Sequence, residues 1–197
     1  MRLRFLVAST ALAASLLLNA SACRKQPEQP PLPDTDGSEQ RSLKLTSKAF
    51  ADGATIPAPY TCDGANVSPP LQWNAAPAAA KSLALVVDDP DAPGGTYTHW
   101  LVYNLPLDAK ELNEATTALT TLPGNAQQGS NDFGNAGYGG PCPPPGDAPH
   151  RYHFTLYALN TTLDLPAQPK RDQLRRLMLG HIIDQGELTG RYQRAKR

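Results

Sequence analysis

The chain lacks several features that would assign it to a common functional class. Its 197 residues carry no net charge, with 18 basic and 18 acidic side chains. This balance argues against non-specific nucleic-acid binding, which needs clustered basic residues, so we predict no nucleic-acid partner. The chain also lacks the repeated long apolar runs of a polytopic membrane protein. It contains no G-x-S-x-G, H-E-x-x-H or P-loop motif, and hence none of those enzyme signatures.

The first 22 residues have the pattern of a secretion signal. Arg2 and Arg4 precede an apolar stretch, 5–18, that is too short to span a bilayer comfortably, and small residues occupy 20–22. Cys23 follows directly, as in a bacterial lipobox. We therefore expect a diacylated Cys23 that anchors the protein to a membrane of the cell envelope, facing the periplasm or the exterior. Ordinary cleavage, which would leave Cys23 as a thiol, is the alternative.

Cysteine is scarce, with three residues in the chain. A lipid on Cys23 would leave Cys62 and Cys142, which can pair in the oxidising compartment that a secretion signal implies. This disulfide would close a loop of about 80 residues and contribute roughly 3–5 kcal/mol in the chain-entropy model. Two reduced, buried thiols are the alternative. The two cysteines and the four scattered histidines do not have zinc-finger spacing.

Composition divides the remainder into a linker and one domain. Residues 23–41 are rich in proline and polar side chains and cannot form a core, so we predict a flexible linker. Residues 42–194 form the predicted globular domain. Apolar runs and alternation predict strands at 42–47, 71–73, 82–87, 99–105 and 151–159. Helical spacing between Pro169 and Gly186 predicts one helix over 170–185, with His181 on its apolar stripe. This order predicts a mainly β domain with a peripheral helix.

Two loops concentrate the polar residues that point to function. The first, 88–93, contains Asp89 and Asp91 and leads into a strand that begins with His99. The carboxylates can cap the turn, orient an imidazole, or accept a hydrogen bond from a ligand. The second loop, 137–146, leads into a strand that begins with His150. In that strand His150 and Tyr152 share one face, whereas His153 lies on the other and is expected to be structural.

The second loop also supplies backbone donors. We expect the N–H groups of Gly139, Gly140 and Cys142 to be unpaired and directed outward, with Pro141 stiffening the turn. Outward N–H groups and imidazoles bind anionic oxygens, so a phosphate or carboxylate fits this site. No nucleophile accompanies the aspartates and histidines, which argues against an enzyme. The composition permits a metal ion, but sequence cannot show that the ligands converge, and we predict neither a metal nor a cofactor.

These motifs resemble the phosphatidylethanolamine-binding protein (PEBP) family. The resemblance rests on 89–93 (Asp-Pro-Asp-Ala-Pro), His99-Trp100, Gly140-Pro141 and His150-Arg151-Tyr152. Further runs at 50–53, 56–57, 60–64, 67–73, 131–134, 137–144 and 187–192 are similar to its bacterial Raf kinase inhibitor-like branch. The resemblance covers about 43–194 and implies a Greek-key β fold of two antiparallel sheets with a C-terminal helix.

The resemblance also implies a small anion pocket near the surface. The predicted ligand-binding residues are Asp89, Asp91, His99, Gly140, Pro141, His150 and Tyr152. We predict a non-enzymatic binding protein for a phosphate or phospholipid head group. A protein-interaction module, such as a protease inhibitor or regulator, is the alternative, and a hydrolase or isomerase that uses Asp89 and His99 is a third possibility. The regulatory role of eukaryotic family members does not transfer to a secreted bacterial lipoprotein.

Overall fold

The computed structural model describes residues 42–116 and 122–196. The predicted signal peptide, the predicted lipidation site Cys23 and the predicted linker 23–41 lie outside the described residues. Residues 42–116 and 122–196 all belong to one compact unit. No helix within these two ranges is long and apolar enough to cross a membrane.

Two antiparallel sheets form the domain, which confirms the predicted fold class. The smaller sheet has the order β1-β2-β5 and the larger has the order β6-β4-β3-β7-β8. The strands of the smaller sheet are β1 (Leu45–Thr46), β2 (Leu71–Trp73) and β5 (Glu111–Leu112). The strands of the larger sheet are β3 (Ser82–Asp89), β4 (Tyr97–Leu105), β6 (Gln127–Gln128), β7 (His150–Leu159) and β8 (Ile182–Tyr192). A single 3-10 turn at Ala58–Tyr60 interrupts the long loop before β2.

The larger sheet is covered on both faces. Alternate residues of β3 enter two different cores: Leu85 and Val87 join the core shared with the smaller sheet, whereas Val86 packs with Leu174 and Met178 of the helix. The nearly continuous apolar sequence of β3 follows from this position, because both of its faces are buried.

The predicted helix is correct only in its first half. Helix α1 spans Arg171–Met178, and Gly180, at a φ of +76°, ends it in a left-handed conformation that favours glycine. The chain then forms β8, which pairs along the full length of β7. His181 therefore lies in the connection between them, exposed, where its Nδ1–H donates to Asn160 Oδ1 at 2.8 Å. Its predicted place on an apolar helical stripe is wrong.

The sheet topology brings the two polar loops together. Strand β3 runs antiparallel to both of its neighbours, β4 and β7, so its end meets their beginnings. Asp89 is the last residue of β3, His150 is the first of β7, and His99 is the third of β4. Three side chains that are far apart in sequence thus meet at one edge of the larger sheet.

Candidate functional site

A cavity of about 270 Å³ opens at this edge, and both loops contribute to its wall. It is lined by Asp89, Ala92, Pro93, Tyr97, His99, Phe133, Cys142, Pro143, Pro144 and His150. We refer to this site as the cavity. Of the seven predicted ligand-binding residues, Asp89, His99 and His150 line it, whereas Asp91, Gly140, Pro141 and Tyr152 do not.

Asp89 holds His150 in one orientation. Both residues are buried, with exposed fractions of 3% and 5%. Asp89 Oδ2 accepts a hydrogen bond from His150 Nδ1–H at 2.8 Å, and Asp89 Oδ1 accepts one from the Asp91 N–H at 2.8 Å. A carboxylate only accepts, so the proton is on Nδ1 of His150 and Nε2 is the nitrogen that can meet a ligand. Asp89 therefore both caps its turn and orients an imidazole.

His99 is fixed in the same manner by a backbone carbonyl. Its Nδ1–H donates to Gly139 O at 2.6 Å, which leaves Nε2 for a ligand. The imidazole is almost fully buried, and burial lowers its pKa below the ordinary value of 6.5, against the opposing hydrogen bond to Gly139 and the charge of Asp89. His99 is accordingly neutral at pH 7.

The expectation of three unpaired backbone donors is wrong for two of them. The Gly139 N–H donates to His99 O at 2.9 Å, and the Gly140 N–H donates to Asn66 Oδ1 at 2.8 Å. A Cβ at Gly140 would collide with Tyr60 O, so this glycine allows two loops to approach closely. Only the Cys142 N–H, at the cavity wall, has no acceptor among the described residues.

Asp91 faces away from the cavity. Its Oδ2 accepts from the Arg151 N–H and Nε–H, each at 2.9 Å, and its Oδ1 accepts from Nη2 at 2.7 Å. These bonds hold the pKa of Asp91 far below its usual range, despite the opposing effect of burial. Asp91 thus fastens the first loop to β7.

Tyr152 lies behind the cavity wall. It is fully buried, and its ring packs against the edge of the His99 ring, with centroids 5.2 Å apart. Its hydroxyl lies near the Asp89 carboxylate without reaching hydrogen-bond geometry with any described residue. Burial, followed by the charge of Asp89, raises the pKa of Tyr152. As predicted, His150 and Tyr152 share the inner face of β7, and His153, on the other face, donates to Glu187.

Sequence reasoning missed two aromatic side chains of the cavity wall. Tyr97 and Phe133 pack edge to face with centroids 5.0 Å apart, and each ring lies 5.4 Å from that of His99. Phe133 is 43% exposed, which is unusual for so large an apolar side chain. Its run, 131–134, contributed to the family resemblance, but nothing local to it indicates that the ring reaches His99.

A disulfide joins Cys62 to Cys142, as the sequence predicts. It ties the loop that precedes β2 to the cavity wall. The Cys62 N–H also donates to Pro141 O at 3.1 Å, and the Tyr138 hydroxyl donates to Tyr60 O at 2.8 Å. The second loop is therefore held against the body of the domain by covalent and polar contacts together.

Within residues 42–116 and 122–196, no group of three or more His, Cys, Asp and Glu side chains is arranged to hold a metal ion.

Comparison with known proteins places this two-sheet fold in a defined class. The family model for phosphatidylethanolamine-binding protein matches residues 46–193. A UPF0098 protein of Methanothermobacter thermautotrophicus is 47% identical over 152 residues, which are 77% of this chain and 99% of the relative. A UPF0098 protein of Pyrococcus horikoshii is 46% identical over 160 residues, 80% of each chain.

Two crystal structures are similar as well. A putative PEBP homologue of Chlamydia trachomatis, CT736, superposes with a TM-score of 0.70 at 42% identity, covering 78% of this chain and 98% of the other. YbcL of E. coli, described as a member of the mammalian PEBP family, gives 0.73 at 36% identity, with coverage of 77% and 98%. The chain belongs to the phosphatidylethanolamine-binding protein family.

Proposed function

We propose that the cavity binds a small anionic group, such as a phosphate or the head group of a phospholipid. The observation that carries this proposal is the matched pair of imidazoles. His99 and His150 each use Nδ1–H internally and keep Nε2 for a ligand. The Cys142 N–H adds a backbone donor at the same wall, and the family name points to a phospholipid head group.

The charge of the cavity defines the conditions for anion binding. No arginine or lysine occurs among the described residues that line it. Positive charge must therefore come from an imidazole that is protonated on both ring nitrogens, since protonation converts Nε2 from an acceptor to a donor. An anion then receives charge-assisted hydrogen bonds, which are stronger than neutral ones.

The size of the cavity limits what enters. Its volume of about 270 Å³ is below the roughly 300–1,000 Å³ that is typical of sites for drug-sized molecules. A head group fits inside, and the remainder of a larger ligand stays outside, beside the exposed Phe133.

Binding without turnover is part of the proposal. Among the described residues of the lining there is no serine or threonine hydroxyl, and the sulfur of Cys142 is in a disulfide. The Asp89 carboxylate is already engaged by two donors. Asp89 and His99 could act only as a general acid–base pair, and such a pair without a nucleophile gives weak support for a hydrolase.

Location in the cell envelope completes the proposal. The sequence of the first 23 residues supports secretion and lipidation of Cys23, and the Cys62–Cys142 disulfide suits an oxidising compartment. A lipid anchor would keep the domain beside phospholipid head groups. Mass spectrometry of the mature N-terminus should detect a diacylglyceryl Cys23, and an unmodified Cys23 would establish ordinary secretion instead.

Isothermal titration with phosphoethanolamine and with phosphate tests the binding function. The wild type should bind, and His150→Ala should weaken binding by at least about tenfold, since a charge-assisted hydrogen bond is lost. His153→Ala is the matched control, because His153 lies on the same strand with its side chain on the opposite face. Absent binding, or equal binding by the wild type and His150→Ala, contradicts the proposal.

One observation favours a second function, a protein-interaction module. Phe133 exposes a large apolar ring at the rim of the cavity, as contact residues of interfaces do. Co-purification from an envelope fraction separates the two functions. A stoichiometric protein partner that still binds His150→Ala would favour this alternative over a head-group site.

A further inference from the structure

A second concave site lies on the other side of His150. It is a groove of about 480 Å³ between the start of β7, the end of β8 and the loop 147–149, and its polar walls include Asp147, His150, Arg151 and Arg191. We refer to it as the groove. The His150 imidazole lines both sites, so it forms the partition between the groove and the cavity.

Two arginines lie directly opposite one another in the groove. Arg151 of β7 and Arg191 of β8 are partners in the register of the two strands, and both are exposed. Like charges in directly opposed positions destabilise a sheet unless something neutralises them. Asp91 neutralises Arg151 by a two-pronged ion pair and an additional backbone hydrogen bond.

Arg191 has no such counter-ion. Its guanidinium makes no hydrogen bond or ion pair with any described residue, whereas Arg194, three residues on, is paired with Asp63. Two carboxylates line the groove, and Asp91 is engaged by Arg151. The other, Asp147, is directed toward the imidazole, with Oδ2 at 3.8 Å from His150 Nε2. A full positive charge with five N–H donors is thus available inside the groove.

The frame around this guanidinium is rigid. The Arg191 N–H donates to Ala54 O at 2.8 Å, and the Arg191 carbonyl accepts from the Ile56 N–H at 2.8 Å, so its backbone is held from the side opposite β7. The facing loop is held by Gln193 Nε2, which donates to Asp147 O at 2.9 Å. A site whose walls are fixed beforehand loses little conformational entropy when a ligand binds.

We propose that the groove is a second anion subsite, in which Arg191 receives a carboxylate or phosphate group in two-pronged geometry. The planar guanidinium matches the spacing of two oxygens in either group. The subsite does not depend on occupancy of the cavity. Since His150 separates the two sites, the groove is also positioned to receive a second acidic group of a ligand whose head group fills the cavity.

Nuclear magnetic resonance can observe the two sites separately. The full chain, ¹⁵N-labelled and solubilised in non-ionic detergent, is titrated with sodium sulfate at constant ionic strength. The Ala148 and Arg191 amides report on the groove, and the Phe133 and Cys142 amides report on the cavity. We expect saturable shifts of the groove amides, and at least about tenfold weaker binding there in Arg191→Gln. Arg176→Gln, which changes an exposed arginine of α1, should titrate like the wild type.

Two results would overturn the subsite. Shifts of the groove amides that grow linearly without saturation indicate an adventitious ion only, and an unchanged titration of Arg191→Gln indicates that Arg191 is not the receptor. The cavity amides decide the proposed function independently: saturation in the groove with no response at Phe133 and Cys142 supports the subsite and counts against the anion-binding cavity. A parallel acetate titration distinguishes a carboxylate from a tetrahedral oxyanion as the preferred group.

Discussion

His150 and Asp89 form a buried hydrogen bond that joins the start of β7 to the end of β3, with Nδ1 and Oδ2 at 2.8 Å. Each residue comes from a different loop-strand junction, and both line the cavity. It engages Nδ1 of His150 and leaves Nε2 as the nitrogen that can meet a ligand, and it supplies a buried carboxylate with one of its two donors. The stability of the domain and the proposed anion binding therefore involve the same pair.

Removal of the Asp89 carboxylate should lower the stability of the domain substantially. Asp89→Ala leaves the His150 Nδ1–H and the Asp91 N–H without acceptors in a buried site, and we expect a loss of about 2–4 kcal/mol in the free energy of unfolding. Urea denaturation measures it. Asp147→Ala is the control, since that side chain is 44% exposed and its loss should cost less than about 0.5 kcal/mol. Equal losses of unfolding free energy in the two variants would show that the buried Asp89–His150 bond does not stabilise the domain.

Anion affinity should increase as the pH falls. Burial lowers the pKa of His99, so its protonated fraction is small at neutral pH and grows toward acid. An anion stabilises the protonated form, and the affinity should rise by up to about tenfold per pH unit for one coupled proton. Calorimetric titration with sulfate between about pH 8 and pH 5.5 avoids titration of the ligand itself. His99→Gln should flatten this dependence, and an unchanged slope in that variant would exclude His99 as the coupled group.

Loss of the disulfide should destabilise the domain strongly. The Cys62–Cys142 bridge spans 80 residues of sequence, and replacement of both cysteines by alanine should lower the free energy of unfolding by roughly 3–5 kcal/mol, because the unfolded chain regains that freedom. Urea denaturation of the variant and the wild type measures the difference. Non-reducing mass spectrometry should first find Cys62 and Cys142 joined in the native protein, and two thiols there would contradict the bridge.

The Tyr152 hydroxyl should contribute nothing to stability. It is buried without a hydrogen-bond partner among the described residues, so Tyr152→Phe removes a desolvated polar atom and keeps the ring against His99. We expect the free energy of unfolding to stay within about 1 kcal/mol of wild type or to rise. A larger loss, seen by thermal or urea denaturation, would mean that the hydroxyl has a partner in solution.

The sequence predicts best where burial determines composition. Strand β3 is recognisable because it is apolar on both faces, and β2 because 71–73 alternates between large apolar residues and glutamine. The first four residues of β8, 182–185, fall within the predicted helix because the helical spacing of α1 continues to Ile182. The two glycines of β8 are required by packing rather than by turns. A Cβ at Gly186 would collide with the backbone of Leu43, and a Cβ at Gly190 would collide with the side chain of Ile56 and crowd that of Phe50. Contacts of that kind arise from distant segments and leave no local pattern.

The candidate site shows the same division. Pairing of Cys62 with Cys142 follows from counting once Cys23 is assigned a lipid. The family resemblance implies a shared pocket for Asp89, His99 and His150, but the strand order that brings them together is seen only in the structure. The hydrogen-bond partners of the backbone N–H groups cannot be predicted from the sequence. The N–H groups of Gly139 and Gly140 are paired because His99 O and Asn66 Oδ1 lie beside them in the fold. Likewise Asp91 reads as a partner of Asp89 in sequence, but it pairs with Arg151 on the outer surface.

A crystal structure of the protein with phosphoethanolamine, grown near pH 6, tests the central claim most directly. The account predicts the phosphate inside the cavity, with oxygens within hydrogen-bond distance of Nε2 of both His99 and His150 and of the Cys142 N–H, roughly 2.7–3.2 Å. An empty cavity at saturating ligand, or a phosphate bound without contact to either imidazole, would contradict it.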